Sequence, residues 1–228
     1  MKKIIALFFV FVLVLLNAAD FSIGETKIKL PVMPGYINSA DVHPELNAHL
    51  GRLMKEQYSV PASYILTSDA EIIKKSSNKR LFEEMGYNSH VMICFLNKLA
   101  NYSCRQDEFD VVKNSLKKIY SSDFKLLENK LKEQEKYISE KGKFKYNTDK
   151  IIPAGIIFEN NDCIISSMVV NHKFDDDIFS QACSMGILKI KNKIFYVYVY
   201  KDFKTKKDLE YTQKNVKILV QKFFELNK

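Results

Sequence analysis

Three tyrosines at i, i+2 and i+4, Tyr196, Tyr198 and Tyr200, alternate with Phe195, Val197 and Val199 in the stretch KIFYVYVYKDF, Lys193 to Phe203. Alternate side chains of a strand face opposite ways, so the three phenols share a face with Ile194. Such a row could stack nucleic acid bases or line a groove for an apolar or peptide ligand. Base stacking of the RNA-recognition type needs glycine and a basic residue at set places beside the aromatics, and this stretch has no glycine. The other reading is architectural. With both faces apolar, the stretch would be a central strand covered on both sides, lying under the C-terminal helix. Its hydroxyls would then reach the rim of the layer, because a buried phenol needs a partner or water.

A second group is acidic. Asp175, Asp176 and Asp177 follow His172 within the stretch NHKFDDD, and hard cations take several oxygen ligands. His172, Asp175 and Asp177 are the metal-ligand candidates. Against them, neighbouring side chains in an extended loop point apart, and no EF-hand spacing or glycine is present, so a solvated acidic turn accounts for the same residues. His43, His49, His90 and His172 show no H-E-x-x-H spacing. Ser167 and Ser184 lie in apparent strands, without the G-x-S-x-G elbow that exposes a nucleophile. No G-x-G-x-x-G or P-loop occurs, and only seven glycines are available to bring backbone against a phosphate. No catalytic residue and no cofactor is therefore assigned.

The elements that must position these residues follow from periodicity. ETKIKLPVMPGYI reads as a short strand broken by Pro31, Pro34 and Gly35. A helix is expected from Pro44, with Leu46, Leu50, Leu53 and Met54 on its apolar stripe, fading at QYSVP. Ser63–Thr67 and Ser89–Leu96 read as strands. Ser103 and Gln106 have capping-box spacing before a helix carrying Phe109, Val112, Leu116 and Ile119, and another helix starts near Ser122 with Phe124, Leu127, Leu131 and Ile138. Residues 140–150 are polar and form a possible hinge. Beyond them, AGIIFE and CIISSMVV are joined at Asn160–Asp162, and QACSMGILKI and KIFYVYVY at Lys191–Lys193, as two hairpins. The final helix starts near Thr205, with Asp208 in capping-box spacing, and buries Leu209, Val216, Leu219, Val220 and Phe223. Clustered antiparallel strands with segregated helices predict an α+β fold, a mainly antiparallel sheet with helices packed on it as a layered sandwich.

Compartment is read from the N-terminus. Lys2 and Lys3 precede an apolar run, Ile4 to Leu16, and the small residues Ala18 and Ala19. This is the layout of a cleaved signal peptide over residues 1–19, leaving one α+β domain over 20–228. As an uncleaved helix, Ile4 to Ala19 would reach about 24 Å, short of the roughly 30 Å hydrocarbon core. Export to the periplasm is expected, which argues against a nucleic acid partner. Membrane contact would come only through the N-terminal segment if it stays uncleaved. Without residues 1–19 and their two lysines, 33 basic side chains face 27 acidic ones. That modest excess reads as solubility or as weak attraction to anionic envelope surfaces. Four cysteines, Cys94, Cys104, Cys163 and Cys183, form an even set in an oxidising compartment. Cys163 and Cys183 fall on successive strands close to facing register, and Cys94 and Cys104 flank a strand-to-helix turn. At least one disulfide is expected, with buried free thiols as the alternative.

The two ends of the mature chain, KIKLPVMPGYI with the later strand SYILT, and LKIKNKIFYVYVYKDFKTKKDLEYTQKNVKILVQKFFELN, resemble an uncharacterised family of small exported Gram-negative proteins. The shared features are a strand, a lysine-bearing turn, an aromatic strand, a DLE helix start and an Asn near the terminus. Gln213–Leu219 lacks the tryptophan the pattern would place there. The resemblance covers about a third of the chain, implies no catalytic residues, and element order suggests a PsbP-like sandwich. The expected role is binding, as an accessory to an envelope protein or as a holder of a small apolar or peptide ligand. Two alternatives stay open. One is an envelope hydrolase with an unrecognised carboxylate, Ser or Cys site; the other is a signal-anchored inner-membrane protein facing the periplasm.

Overall fold

A computed structural model of the chain describes residues 19–42, 44, 57–75, 88–122, 129, 146–174 and 177–228. Residues 1–18, the helical stripes Leu46–Met54 and Phe124–Ile138, and Asp175 and Asp176 lie outside the described residues. In chain order the strands are β1 (Ala19–Ile23), β2 (Thr26–Leu30), β3 (Tyr36–Asn38), β4 (Tyr58–Leu66), β5 (Ser89–Leu96), β6 (Tyr146–Asn160), β7 (Cys163–Phe174), β8 (Asp177–Ile190) and β9 (Lys193–Asp202). The helices are α1 (Ser39–Val42), α2 (Thr67–Lys75), α3 (Gln106–Ser122) and α4 (Lys206–Leu226). Strands β3 to β9 form one seven-stranded sheet in the order β3-β4-β5-β9-β8-β7-β6, every pair antiparallel. The fold is α+β, with helices packed on a mostly antiparallel sheet. Because β5 pairs with β9, strands from both sides of residues 140–150 share this sheet, and Tyr146–Lys150 already belong to β6.

Local chemistry sets the hairpins. β8 turns into β9 through Lys191 and Asn192, both left-handed at φ 48° and 60°, the backbone of a two-residue turn whose twist suits the flanking strands. β6 turns into β7 with the Asn160 side chain accepting the Asp162 backbone N–H at 3.0 Å, an asparagine-held turn. Sequence periodicity missed the β1–β2 hairpin, which turns at Gly24 with φ +56°. NHKFDDD, expected as a loop, is strand on both flanks: β7 runs to Phe174, which pairs with Asp177 of β8. β4 likewise begins at Tyr58 rather than Ser63. Its Pro61 falls where the β4–β5 register shifts between Ser59 and Ala62, a bulge that spares proline a ladder donor it lacks.

Helix α4 covers one face of the sheet. Val216, Leu219, Val220 and Phe223 meet Phe195, Val197, Val199, Ile165 and Leu188 in a single core, with Phe223 set edge-on to Phe195 at 5.0 Å. Each such side chain contributes about 1.5–3 kcal/mol on full burial. Gly186 lets the helix approach, since a Cβ there would lie 3.1 Å from Val220 Cγ2. The start of α4 is a capping box, Thr205 with Asp208, whose carboxylate accepts the Thr205 backbone N–H at 2.9 Å. On the opposite face Phe109 and Leu116 of α3, with Cys104 just ahead of the helix, pack against Ile164, Ile187 and Ile194. Its cap lies two residues beyond Ser103: Glu108 accepts the Arg105 backbone N–H at 2.8 Å. Among the described residues, no helix is long and apolar enough to cross a membrane.

Two polar devices hold these layers together. Ser167 and Ser184 share a hydrogen bond at 2.8 Å, and Ser184 shares another with Thr212 at 2.8 Å, joining β7, β8 and α4 through buried hydroxyls. Asn227, just past α4, accepts the Lys29 backbone N–H at 2.9 Å and donates to the Lys29 carbonyl at 2.8 Å. It thereby pins the β1–β2 hairpin to the end of the helix.

Candidate binding groove

β9 is the middle strand of the seven, as its two apolar faces require, but the tyrosines do not lie under α4. The helix covers Phe195, Val197 and Val199. Tyr196, Tyr198 and Tyr200 are on the other face, partly buried, opposite Cys94, Met92 and His90 of β5 and Ile187, Met185 and Cys183 of β8. Their rings pack on one another and on their neighbours. Tyr198 stacks on Tyr200 at 5.7 Å, Tyr200 on His90 at 4.4 Å, and Tyr196 meets Tyr58 edge-on at 6.3 Å. Burial pushes the Tyr196 hydroxyl up to about 12 and the Tyr198 hydroxyl well above the ordinary phenol value. Burial also holds the His90 imidazole down to about 4. These groups are neutral at physiological pH. They form a packed aromatic layer, and none of the three tyrosines lines either groove described below.

The other candidates are also dispersed. His172 pairs with Phe179 across β7–β8 and stacks on its ring at 5.0 Å; burial lowers its pKa to about 4. Asp177 opens β8, two pairs further along the same hairpin. Among the described residues, no three His, Cys, Asp or Glu side chains gather closely enough to hold a metal ion. Ser167 and Ser184 are fully buried in the hydroxyl chain to Thr212.

The disulfide expectation is corrected. All four cysteines are buried free thiols. Register gives the reason for one pair: Cys163 stands opposite Leu188, and Cys183 stands opposite Met168. The five-residue offset puts them on opposite faces, Cys163 in the core under α4 and Cys183 in the cluster with Met168, Ile151 and Val170. Burial drives the thiols of Cys94, Cys163 and Cys183 up to about 12 and raises that of Cys104, so they remain protonated and packed as small hydrophobes.

Among the described residues, a concave feature lies elsewhere. α4 packs over β8 and β9 and only partly over β7, so edge strand β6 extends beyond it. Between them runs a groove of about 440 Å³, within the usual size of small-molecule sites. Ile165 of β7 and Phe158 of β6 form its floor, and Val220 and Phe224 of α4 form its apolar wall. Phe158 and Ile165 are paired across the β6–β7 ladder, which turns both toward α4. Phe158 is 42% exposed there. Lys217, Gln221 and Glu225 form the helical rim, and Lys228 continues it past the helix end. Beyond Phe224 a second hollow of about 330 Å³ continues over the β8–β9 turn, past Asn192 and Lys191.

β6 itself is poorly suited to adding another strand. Its ladder shifts register at three places, between Thr148 and Lys150, Pro153 and Gly155, and Ile156 and Phe158, and Gly155 has φ +94°. Bulges and proline on an edge strand block edge-to-edge pairing. The groove beside β6 thus offers side-chain contacts rather than a backbone ladder. Sequence reasoning missed it because it assigned only the core face of α4. The signal available was the flank Lys217, Val220, Gln221, Phe224 and Lys228 at helical spacing, whose partner strand no periodicity names.

No protein-family model matches the chain, and no curated protein matches it. A solved structure of a mutant of the protein Mog1 is similar at 10% identity over 92% of this chain and 94% of that one, with a TM-score of 0.36. At that level neither fold nor function transfers.

Proposed function

We propose that this chain acts outside the cytoplasm as a non-catalytic binding protein of the cell envelope, with its ligand held between β6 and α4. The observation that carries the reading is the groove itself, an apolar slot about 440 Å³ in volume with a polar rim. The chemistry of the remaining residues supports binding over catalysis. The serines are buried and mutually bonded, the thiols are protonated, and His90 and His172 are neutral and packed against rings. Export rests on the basic and apolar segment ahead of Asp20.

Two measurements test this reading. Intact mass in periplasmic extract should show a chain beginning at Ala19 or Asp20, whereas a full-length membrane-bound species would support the anchored alternative. Native mass spectrometry of the extracted protein should show a small-molecule adduct that the groove-filling Gln221→Trp variant lacks. Bare chain in both samples would sink the binding role of the groove.

A further inference from the structure

Resting on that reading, we propose that the groove binds a single-chain amphipathic anion, a fatty carboxylate, with its head at Lys217 and its tail running toward Phe224. The tail requirement comes from the floor and wall. Phe158, which is 42% exposed, and the partly buried Phe224 present aromatic surface above the buried Ile165 and Val220. From Lys217 to Phe224 the helix advances about 10 Å, which an extended chain of roughly eight carbons spans.

The charge of the head follows from which ions near the slot are already neutralised. Glu159 points to the opposite face, 3.0 Å from Lys117 and 3.9 Å from Lys113. Asp162 is 3.3 Å from Lys189. Glu210 lies 3.7 Å from Lys206, whereas Glu225 accepts only a neutral amide hydrogen bond from Gln221 at 2.9 Å and keeps its charge at the far end of the slot, about two turns from Lys217, where it repels an anionic head. Lys214 and Lys217, one turn apart on α4, have no carboxylate within ion-pair distance among the described residues. A ligand anion at Lys217 also sits away from the helix C-terminus, where the carbonyl dipoles repel negative charge.

The test uses the absence of tryptophan from the chain. Phe158→Trp in the full chain makes a single fluorescent reporter on the groove floor, and calorimetry on the unaltered chain guards against a fold defect in the variant. Each is titrated with hexanoate, octanoate, decanoate and dodecanoate, and with decanol and decyltrimethylammonium, below their aggregation limits. Affinity should rise about fourfold per added methylene and level off once the slot is full. Decanol should bind about tenfold more weakly than decanoate, and the ammonium more weakly still. Lys217→Gln should erase the preference for decanoate over decanol while leaving the chain-length series intact. Affinity independent of chain length, or equal binding of carboxylate and ammonium, overturns the proposal. If native mass spectrometry then still shows an adduct that Gln221→Trp abolishes, the groove binds something else, and the binding reading survives without this ligand class.

Discussion

Acid sensitivity offers a direct test of the packed layer behind β9. His90 lies on β5 opposite Tyr200, with the two rings nearly parallel at 4.4 Å and 14°, and burial holds its pKa at about 4. In the unfolded chain the imidazole titrates near 6.5. Above that value both states hold it neutral, and its packing contributes fully. As pH falls through 6.5 the unfolded state gains a proton that the folded state refuses, and stability falls until about pH 4, where the folded state also accepts one. Between pH 7.5 and 5.0 this linkage removes about 2 kcal/mol. His172, also held at about 4, removes a similar amount, so the two together account for about 4 kcal/mol. The perturbation is His90→Phe, which keeps an aromatic ring against Tyr200 and deletes the proton site. Urea unfolding followed by circular dichroism at pH 7.5, 6.5, 5.5 and 5.0 gives stability against pH for both chains. Whatever the variant's stability at neutral pH, it should lose about 2 kcal/mol less than the native chain on acidification. All other titrating groups are common to both chains, so the difference isolates His90. Parallel curves would show that His90 is solvated in the fold and that the layer is open.

Three further outcomes follow from the polar devices and the thiols. Ser184→Ala removes the middle of the Ser167–Ser184–Thr212 chain and should cost about 2 kcal/mol, whereas Thr212→Val leaves Ser184 its bond to Ser167 and should cost about 1 kcal/mol; equal or reversed costs in urea unfolding would contradict the network. Asn227→Ala strips both backbone bonds from Lys29 and should cost about 2 kcal/mol, with amide exchange at Lys29 rising well before that of β8 or β9; unchanged protection at Lys29 would mean that the hairpin is held by its apolar residues alone. The native chain should show four free thiols by intact mass, reacting at least about tenfold more slowly with a thiol reagent at pH 8 than in urea; a mass lower by two hydrogens would restore the disulfide.

Much of the architecture was legible because side-chain period and burial are linked locally. The alternation in KIFYVYVY marks a strand apolar on both sides, and such a strand belongs inside a sheet, where β9 stands fourth of seven. Thr205 with Asp208, and the spacing of Val216, Leu219, Val220 and Phe223, define α4 and its core face by themselves. What alternation cannot supply is which helix takes which face, because both faces of β9 satisfy the same pattern. α4 took Phe195, Val197 and Val199, and the tyrosines went to the other side. Cysteine pairing failed for a related reason. A strand's register against its neighbour is fixed by its turn, and a five-residue offset between Cys163 and Cys183 is invisible until Phe174 is seen opposite Asp177. The groove was least legible of all. It exists because α4 crosses β8 and β9 and leaves β6 uncovered, so Phe158 and Phe224 meet across a gap that neither segment encodes. Sequence alone determined the fold class, the β6–β7 and β8–β9 hairpins and the C-terminal helix, since these depend on neighbours in the chain. Tertiary structure alone decided where the tyrosines point, that the thiols stay apart and where the groove lies, since these depend on how separate elements are placed against one another.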